Sequence, residues 1–365
     1  MRSLLFFPAR LVRWLDTHKV TSVQAAHSDA EGYVIPWPFI FLNLGVLTVF
    51  LVGWSWTAVA AAAFLYFLRM FAITGFYHRY LSHRSYKTSR WFQFAFAFLG
   101  NMSAQRGPLW WAAHHRHHHR FSDTPEDPHS PAQKGFWNSH MLWWSRRKNI
   151  ATRTHLVPDL AKYPELVFLD RYDSVAPVTL GFMAFGFGAL LERFAPGLGT
   201  TGPQMLVWCV VISTVVLFHG VATINSLSHV FGSRRYATAD DSRNNLLLAF
   251  VTLGEGWHNN HHHYQNAARQ GFFWWEIDIT YYGLKLLEKL GLVWDLKPVP
   301  ERLLRSVPTE AALPLREETV RHREMVPEPA YAGTAFRPGV AGMLPGLTAL
   351  VPKPISARSP DLPGA

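Results

Sequence analysis

The residue type through which this chain can do chemistry is histidine. It holds nineteen histidines, and twelve of them fall in four short clusters. These are His78-Arg-Tyr-Leu-Ser-His83, His114-His-Arg-His-His-His119, Asn225-Ser-Leu-Ser-His229 and His258-Asn-Asn-His-His-His263. Imidazole suits zinc, copper, iron and nickel. Spacings of three and four put His115, His118 and His119 on one helix face, and His258, His261 and His262 repeat that arrangement. Asn225 and His229 are again four apart. His78 and His83 are five apart, which predicts a helix end rather than a regular face. One ion takes about six ligands at most, so roughly nine convergent histidines predict two ions. The single cysteine, Cys209, excludes a disulfide framework, a thiolate zinc site and an internal iron–sulfur centre.

The elements that must position these clusters are apolar. Hydrophobic residues make up 49% of the 365-residue chain and charged residues only 16%, below the roughly 25% of soluble domains. The mean hydropathy of +0.02 averages apolar blocks with polar segments. Val34 to Leu68 carries no charge and is long enough for two spans turning near Gly53–Trp56. The second span continues to Tyr77 with one charge, Arg69, and further apolar runs cover Val175–Leu191 and Pro203–Asn225. The expected fold is therefore all-α and integral to the membrane. Four transmembrane helices, about 37–53, 57–77, 175–191 and 203–225, carry a cytoplasmic helical cap that holds a histidine-ligated di-metal centre. Trp91–Met102 is apolar but short, and reads as a buried or interfacial helix.

The 79–173 segment is rich in arginine and lysine while the other turns are short and nearly uncharged, so this segment and both termini are expected on the cytoplasmic side. All the clusters then meet at one face of the membrane. Residues 1–33 read as an N-terminal cytoplasmic segment without a cleavable signal pattern, 34–297 as the membrane domain, and 298–365 as a proline-rich, mostly disordered tail. The net charge of +10 fits a membrane surface or an anionic substrate, and the apolar blocks argue against nucleic acid.

The four histidine motifs resemble those of the membrane fatty acyl desaturases: HxxxxH, HxxHH, NxxxH and HxxHH. The resemblance extends through Phe121-Ser-Asp-Thr, Asp127-Pro-His129 and Gly254-Glu-Gly-Trp-His258, and covers roughly residues 35–297. It is nearest to the acyl-CoA (stearoyl-CoA-type) Δ9 branch, from which the membrane hydroxylases and front-end desaturases are separated by the Asn225–His229 motif. Carried over residue by residue, it implies nine ligands to two Fe2+ ions: His78, His83, His115, His118, His119, His229, His258, His261 and His262. Asn225 is implied to reach a metal through water, while His114, His117 and His263 are left without a ligand role. Asp127 and Glu255, close to ligands in sequence, are candidate acceptors for the outer imidazole N–H groups.

The resemblance implies O2-dependent insertion of a double bond, Δ9 in position, into a saturated chain carried by CoA or by a phospholipid. No catalytic residue is expected beyond the metal ligands. The sequence has no fused haem or flavin motif, so a separate electron donor is implied: cytochrome b5, a ferredoxin or a reductase. The competing readings are a membrane di-iron hydroxylase or alkane monooxygenase, and a metal transporter. Ala113 and His114 stand where animal acyl-CoA desaturases carry an Arg-Asp pair that helps hold CoA. The basic run Arg146-Arg147-Lys148 is a candidate contact for an anionic headgroup or the donor. Position matching picks Tyr66 and Met70 as the end of the acyl tunnel, whereas helical phase alone puts Thr74, Phe71 and Phe67 under His78.

Overall fold

The computed structural model describes residues 16–17 and 32–305. Most of the N-terminal segment and the tail beyond residue 305 lie outside the described residues. The chain is mostly helical. The elements that matter to the site are α1 (Trp37–Val52), α2 (Trp56–Ser82), α3 (Arg90–Asn101), α4 (Pro108–Phe121), α5 (Pro164–Arg171), α6 (Val175–Phe194), α7 (Gly202–His229), α8 (Leu246–Val251), α9 (His258–His263) and α10 (Ile279–Lys289). A two-stranded antiparallel ribbon joins β1 (Lys87–Thr88) to β2 (Val293–Trp294).

Three helices, α2, α6 and α7, are long and apolar enough to cross a membrane. The first apolar segment, α1, has only 16 residues and passes through a 3-10 turn at Val46–Thr48. At 1.5 Å per residue it reaches about 24 Å, short of the roughly 30 Å hydrocarbon core. Ser55 starts α2 by accepting a hydrogen bond from the Ala58 N–H at 3.1 Å. In the bundle α2 packs on α7, and α6 packs on the start of α7. Arg69, the charge inside α2, is fully buried rather than reaching water. Its guanidinium donates to Leu65 O, Met102 O, Thr214 Oγ1, Cys209 O and Ser213 Oγ. Those acceptors lie on α2 itself, at the end of α3 and on α7, so one side chain ties three segments together.

The lower part of α2 is wound more widely than an α-helix. From Ala72 to Ser82 it is a π-helix, in which the His83 N–H donates to the His78 carbonyl five residues back at 3.2 Å. The five-residue spacing does fall at a helix end, because His83 closes the π-helix, and the wider turn also brings His78 and His83 together as neighbours. Their rings lie 4.8 Å apart. Polar segments at this end of the bundle hold the rest of the histidines. Pro108 opens α4, whose first turn is fixed by Asp170 accepting from the Trp110 N–H at 2.8 Å. Asp278 caps α10 and also pairs with Arg79. The Leu253–Gly254 turn, with Gly254 at φ +126, brings Glu255 and α9 back over the end of α2.

Candidate metal centre

The structure gathers all nine of the named histidines into two groups. His78, His83, His115, His119 and His261 form the first, and His118, His229, His258 and His262 the second; within each group the ligand atoms lie within 4.8 Å of one another. The groups are interleaved through two helices. On α4, His115 and His119 face the first and His118 the second; on α9, His261 faces the first, and His258 and His262 the second. One turn of helix thus serves both groups.

The nitrogens are spaced as ligands would be. Nε2–Nε2 distances are 3.0 Å for His78–His261, 2.9 Å for His83–His115 and for His115–His119, 3.0 Å for His119–His261, and 3.1 Å for His229–His258. Two imidazoles bound at right angles to one ion, each about 2.1 Å from it, would be separated by roughly 3 Å. In the second group, His262 Nε2 is buried with no hydrogen-bond partner, the state of a nitrogen whose lone pair is kept for an ion. Burial, with added repulsion from neighbouring imidazoles, holds His115, His119, His258 and His261 well below the ordinary imidazole range. They stay neutral, as metal ligation requires.

Carboxylates fix the outer nitrogens. His118 Nδ1 faces Asp127 at 3.0 Å, His229 Nδ1 faces Asp123 at 2.8 Å, and His262 Nδ1 faces Asp240 at 2.6 Å. His78 Nδ1 pairs with Glu255, which Arg79 also holds at 3.0 Å. Each Nδ1–H donates outward and leaves Nε2 directed inward. Burial alone would raise the acids, but contact with the imidazoles outweighs it: Asp123, Asp127, Asp240 and Glu255 all lie below the usual carboxylate range. Two divalent ions would bring four positive charges, and these four acids answer them. The donor set therefore fits a pair of metal ions. Asp127 and Glu255 were both legible from their closeness to histidines in sequence. Asp123, only four residues past His119, was open to the same logic, but its pairing with His229, 106 positions away, was not, and Asp240 is 22 from His262.

The three histidines without a ligand role fall outside both groups. His114 Nδ1 makes a 2.9 Å bond to the Trp110 carbonyl of its own helix, His117 Nε2 lies 3.2 Å from Glu126 O, and His263 stacks on Tyr236. His129 was given no role by sequence, yet it is buried beside His118 and Asp127.

A small, partly open cavity lies at the histidines, lined by residues of both α2 and α7. His78, His115, His258, Asn225 and Glu255 stand at its head, and Met70, Ile73, Thr74, Val221 and Ile224 line its apolar part. Met70, one of the two residues that family position picks, is among the lining residues. Tyr66 sits in the next layer, its hydroxyl donating to Val251 O at 2.7 Å, and a side chain at Gly220 would press on both Tyr66 and Met70. Helical phase selects Thr74 but fails for the other two: Phe71 packs on Phe76 and Phe96, and Phe67 is 51% exposed on the outer surface of the bundle. In the basic run, Arg146 is engaged by Asn138 Oδ1 at 3.0 Å and by the Tyr33 ring, while Lys148 is exposed.

Imidazole cages at the head of an apolar cavity, set in a bundle of membrane-length helices, define a class of membrane proteins built to hold metal beside a hydrophobic ligand. Residues 54–283 match the fatty acid desaturase family, and the chain belongs to it. The acyl-CoA 5-desaturase AL21 of Anemone leveillei is 38% identical over 72% of this chain and 83% of its own. The Delta-9 acyl-lipid desaturase 1 of Arabidopsis thaliana is 39% identical over 67% of this chain and 77% of its own. The sn-1 stearoyl-lipid 9-desaturase of Anabaena variabilis is 36% identical over 71% of this chain and 91% of its own.

Proposed function

We propose that this chain inserts a double bond, at Δ9, into a saturated acyl chain, with two Fe2+ ions held by His78, His83, His115, His119 and His261 on one side and by His118, His229, His258 and His262 on the other. Asn225 would reach the second ion through water. The observation that supports this most directly is that both cages stand at the head of one apolar cavity. The iron pair supplies the oxidising power that no side chain has, by activating O2. The protein's own part is positional. Ile73, Val221 and Ile224 keep water from the methylenes, Met70 and Tyr66 end the tunnel, and the four carboxylates hold the imidazoles in the ligating tautomer. The overall change is a –CH2–CH2– segment, O2, two electrons and two protons giving –CH=CH– and two waters. The electrons come from a separate one-electron donor.

Four spans place both termini and the histidines on the cytoplasmic side in this reading, with α1 crossing as a short helix between thinned or tilted surroundings. Acyl-CoA is the first candidate carrier. A lipid-linked chain is the second, and one feature favours it: Ala113 and His114, at the place of the animal CoA-holding pair, are buried, with His114 packed on Trp110.

Expression in a host without desaturases, followed by mass spectrometry that locates double bonds in CoA and lipid pools, tests the reading. A Δ9 monoene is expected. A hydroxylated product would instead make this a hydroxylase. An iron-loaded protein that gives neither product would overturn oxidative chemistry and return the transporter reading.

A further inference from the structure

The cavity delivers substrate from the membrane side, but it offers no path for electrons. A different set of residues leads outward from the second histidine group. The His129 ring lies 4.2 Å from His118, Trp143 lies 4.9 Å from His129, and Trp110 stacks on Trp143 at 5.4 Å and 21°. All three are nearly closed to solvent, and none lines the cavity. His129 is a costly choice for mere packing. Its Nδ1 is buried without a hydrogen-bond partner, 3.7 Å from Asp127 Oδ1, a desolvation cost that an apolar ring would avoid.

The outer end of this stack lies under positive charge. Trp110 Nε1 donates to Asn149 O at 2.8 Å, and the Arg106 guanidinium sits 5.5 Å over the Trp110 ring, with Asp173 at 3.6 Å from it. Asn149 belongs to Arg146-Arg147-Lys148-Asn-Ile-Ala-Thr-Arg153, a segment with four cations and no acid. Arg146 is committed to Asn138 and Tyr33, but Lys148 is exposed and Arg147 and Arg153 are half-exposed.

We propose that Arg106, Arg147, Lys148 and Arg153 dock an acidic one-electron carrier protein, and that its electrons reach the four-histidine site through Trp110, Trp143 and His129. This rests on the desaturase reading above. Two carriers are oxidised by one electron each per double bond formed, and these two electrons, with two protons from solvent and the two hydrogens of the chain, reduce O2 to two waters. Contiguous aromatic rings give the electron a packed path with no gap of solvent. A docking patch held by charge suits the small, transient interfaces of electron transfer, which bury under about 1,200 Å².

The test uses the full iron-loaded chain in nanodiscs of uncharged phosphatidylcholine, with a reduced 2Fe–2S ferredoxin as the acidic carrier. Carrier affinity, the stopped-flow rate of carrier oxidation and reduction by dithionite are measured separately. Arg147→Glu with Lys148→Glu should weaken carrier binding about tenfold at low salt, with the difference shrinking toward 0.5 M salt. Trp143→Leu should leave affinity and iron content unchanged and slow carrier oxidation at least tenfold, whereas Trp143→Phe should stay near the wild-type rate. Dithionite-driven reduction should be the same throughout. Carrier oxidation at the wild-type rate in iron-replete Trp143→Leu would overturn the route. If Trp143→Leu does not hold iron, Trp110→Leu, one ring further from the histidines, decides in its place. Charge reversal that spares carrier affinity but abolishes binding to phosphatidylglycerol vesicles would assign the patch to the membrane and overturn the docking. Rapid carrier oxidation without any double bond would sink the desaturase reading while leaving the route standing.

Discussion

The two histidine groups share two helices but differ in what surrounds them. The first has five imidazoles, of which His78 is paired with a carboxylate, Glu255. The second has four imidazoles and three carboxylates, Asp127, Asp123 and Asp240. Were two ions bound as proposed, five imidazoles would leave less room for water at the first than four at the second, and Asn225 and His258 line the same cavity. The three acids would make the imidazoles of the smaller group more basic and that site more negative.

The largest expected effect comes from removing a ligand. His118→Ala should abolish turnover and lower bound metal from two ions toward one, while His117→Ala, which loses contacts with Glu126 O and the Phe121 ring, should keep both metals and activity within about twofold. Metal analysis by mass spectrometry beside a turnover assay decides this, and equal losses would break the division into ligand and bystander. Next come the carboxylates. Asp123→Asn and Asp240→Asn should each weaken the second site about 10–100-fold in metal affinity. Glu255→Gln should act on the first site instead, through His78. A chelator competition that found all three equivalent would erase the asymmetry between the groups.

Acid should act on both. Buried imidazoles such as His115, His119, His258 and His261 resist protonation in the folded chain, whereas unfolded histidine takes up its proton near pH 6.5. Below that pH the unfolded state binds more protons, so stability is present above about 6.5 and is lost as pH falls. The metal-free protein should melt several degrees lower at pH 5.5 than at pH 7.5, and a flat melting curve would contradict neutral, buried cages. The smallest effect concerns the tunnel. Met70→Ala should lengthen the preferred acyl chain by a few carbons without changing metal content, because Met70 lines the cavity. Phe71→Ala should change chain length less, since Phe71 packs on Phe76, Phe96 and the Met70 cluster but does not line the cavity. A length shift with Phe71 alone would show that the tunnel follows another face of α2.

Much of this was written in the chain. Spacings of three and four on α4 and α9 are local facts of helix geometry and put six of the histidines on shared faces, the family resemblance supplied the set of nine, and the long apolar helices were found because hydropathy is read residue by residue. Asp127 and Glu255 were within reach of the same logic. What tertiary structure alone decided depends on where distant segments meet. The Asp123–His229 and Asp240–His262 pairs join loops to α7 and α9. The division of nine histidines into five and four depends on how α4 and α9 cross the end of α2. The π-helical stretch ends at His83, as the five-residue spacing suggested, and its wider turn sets His78 and His83 side by side. Hydrogen bonds close every five residues there because the surrounding bundle supports the wider turn, and no local propensity announces it.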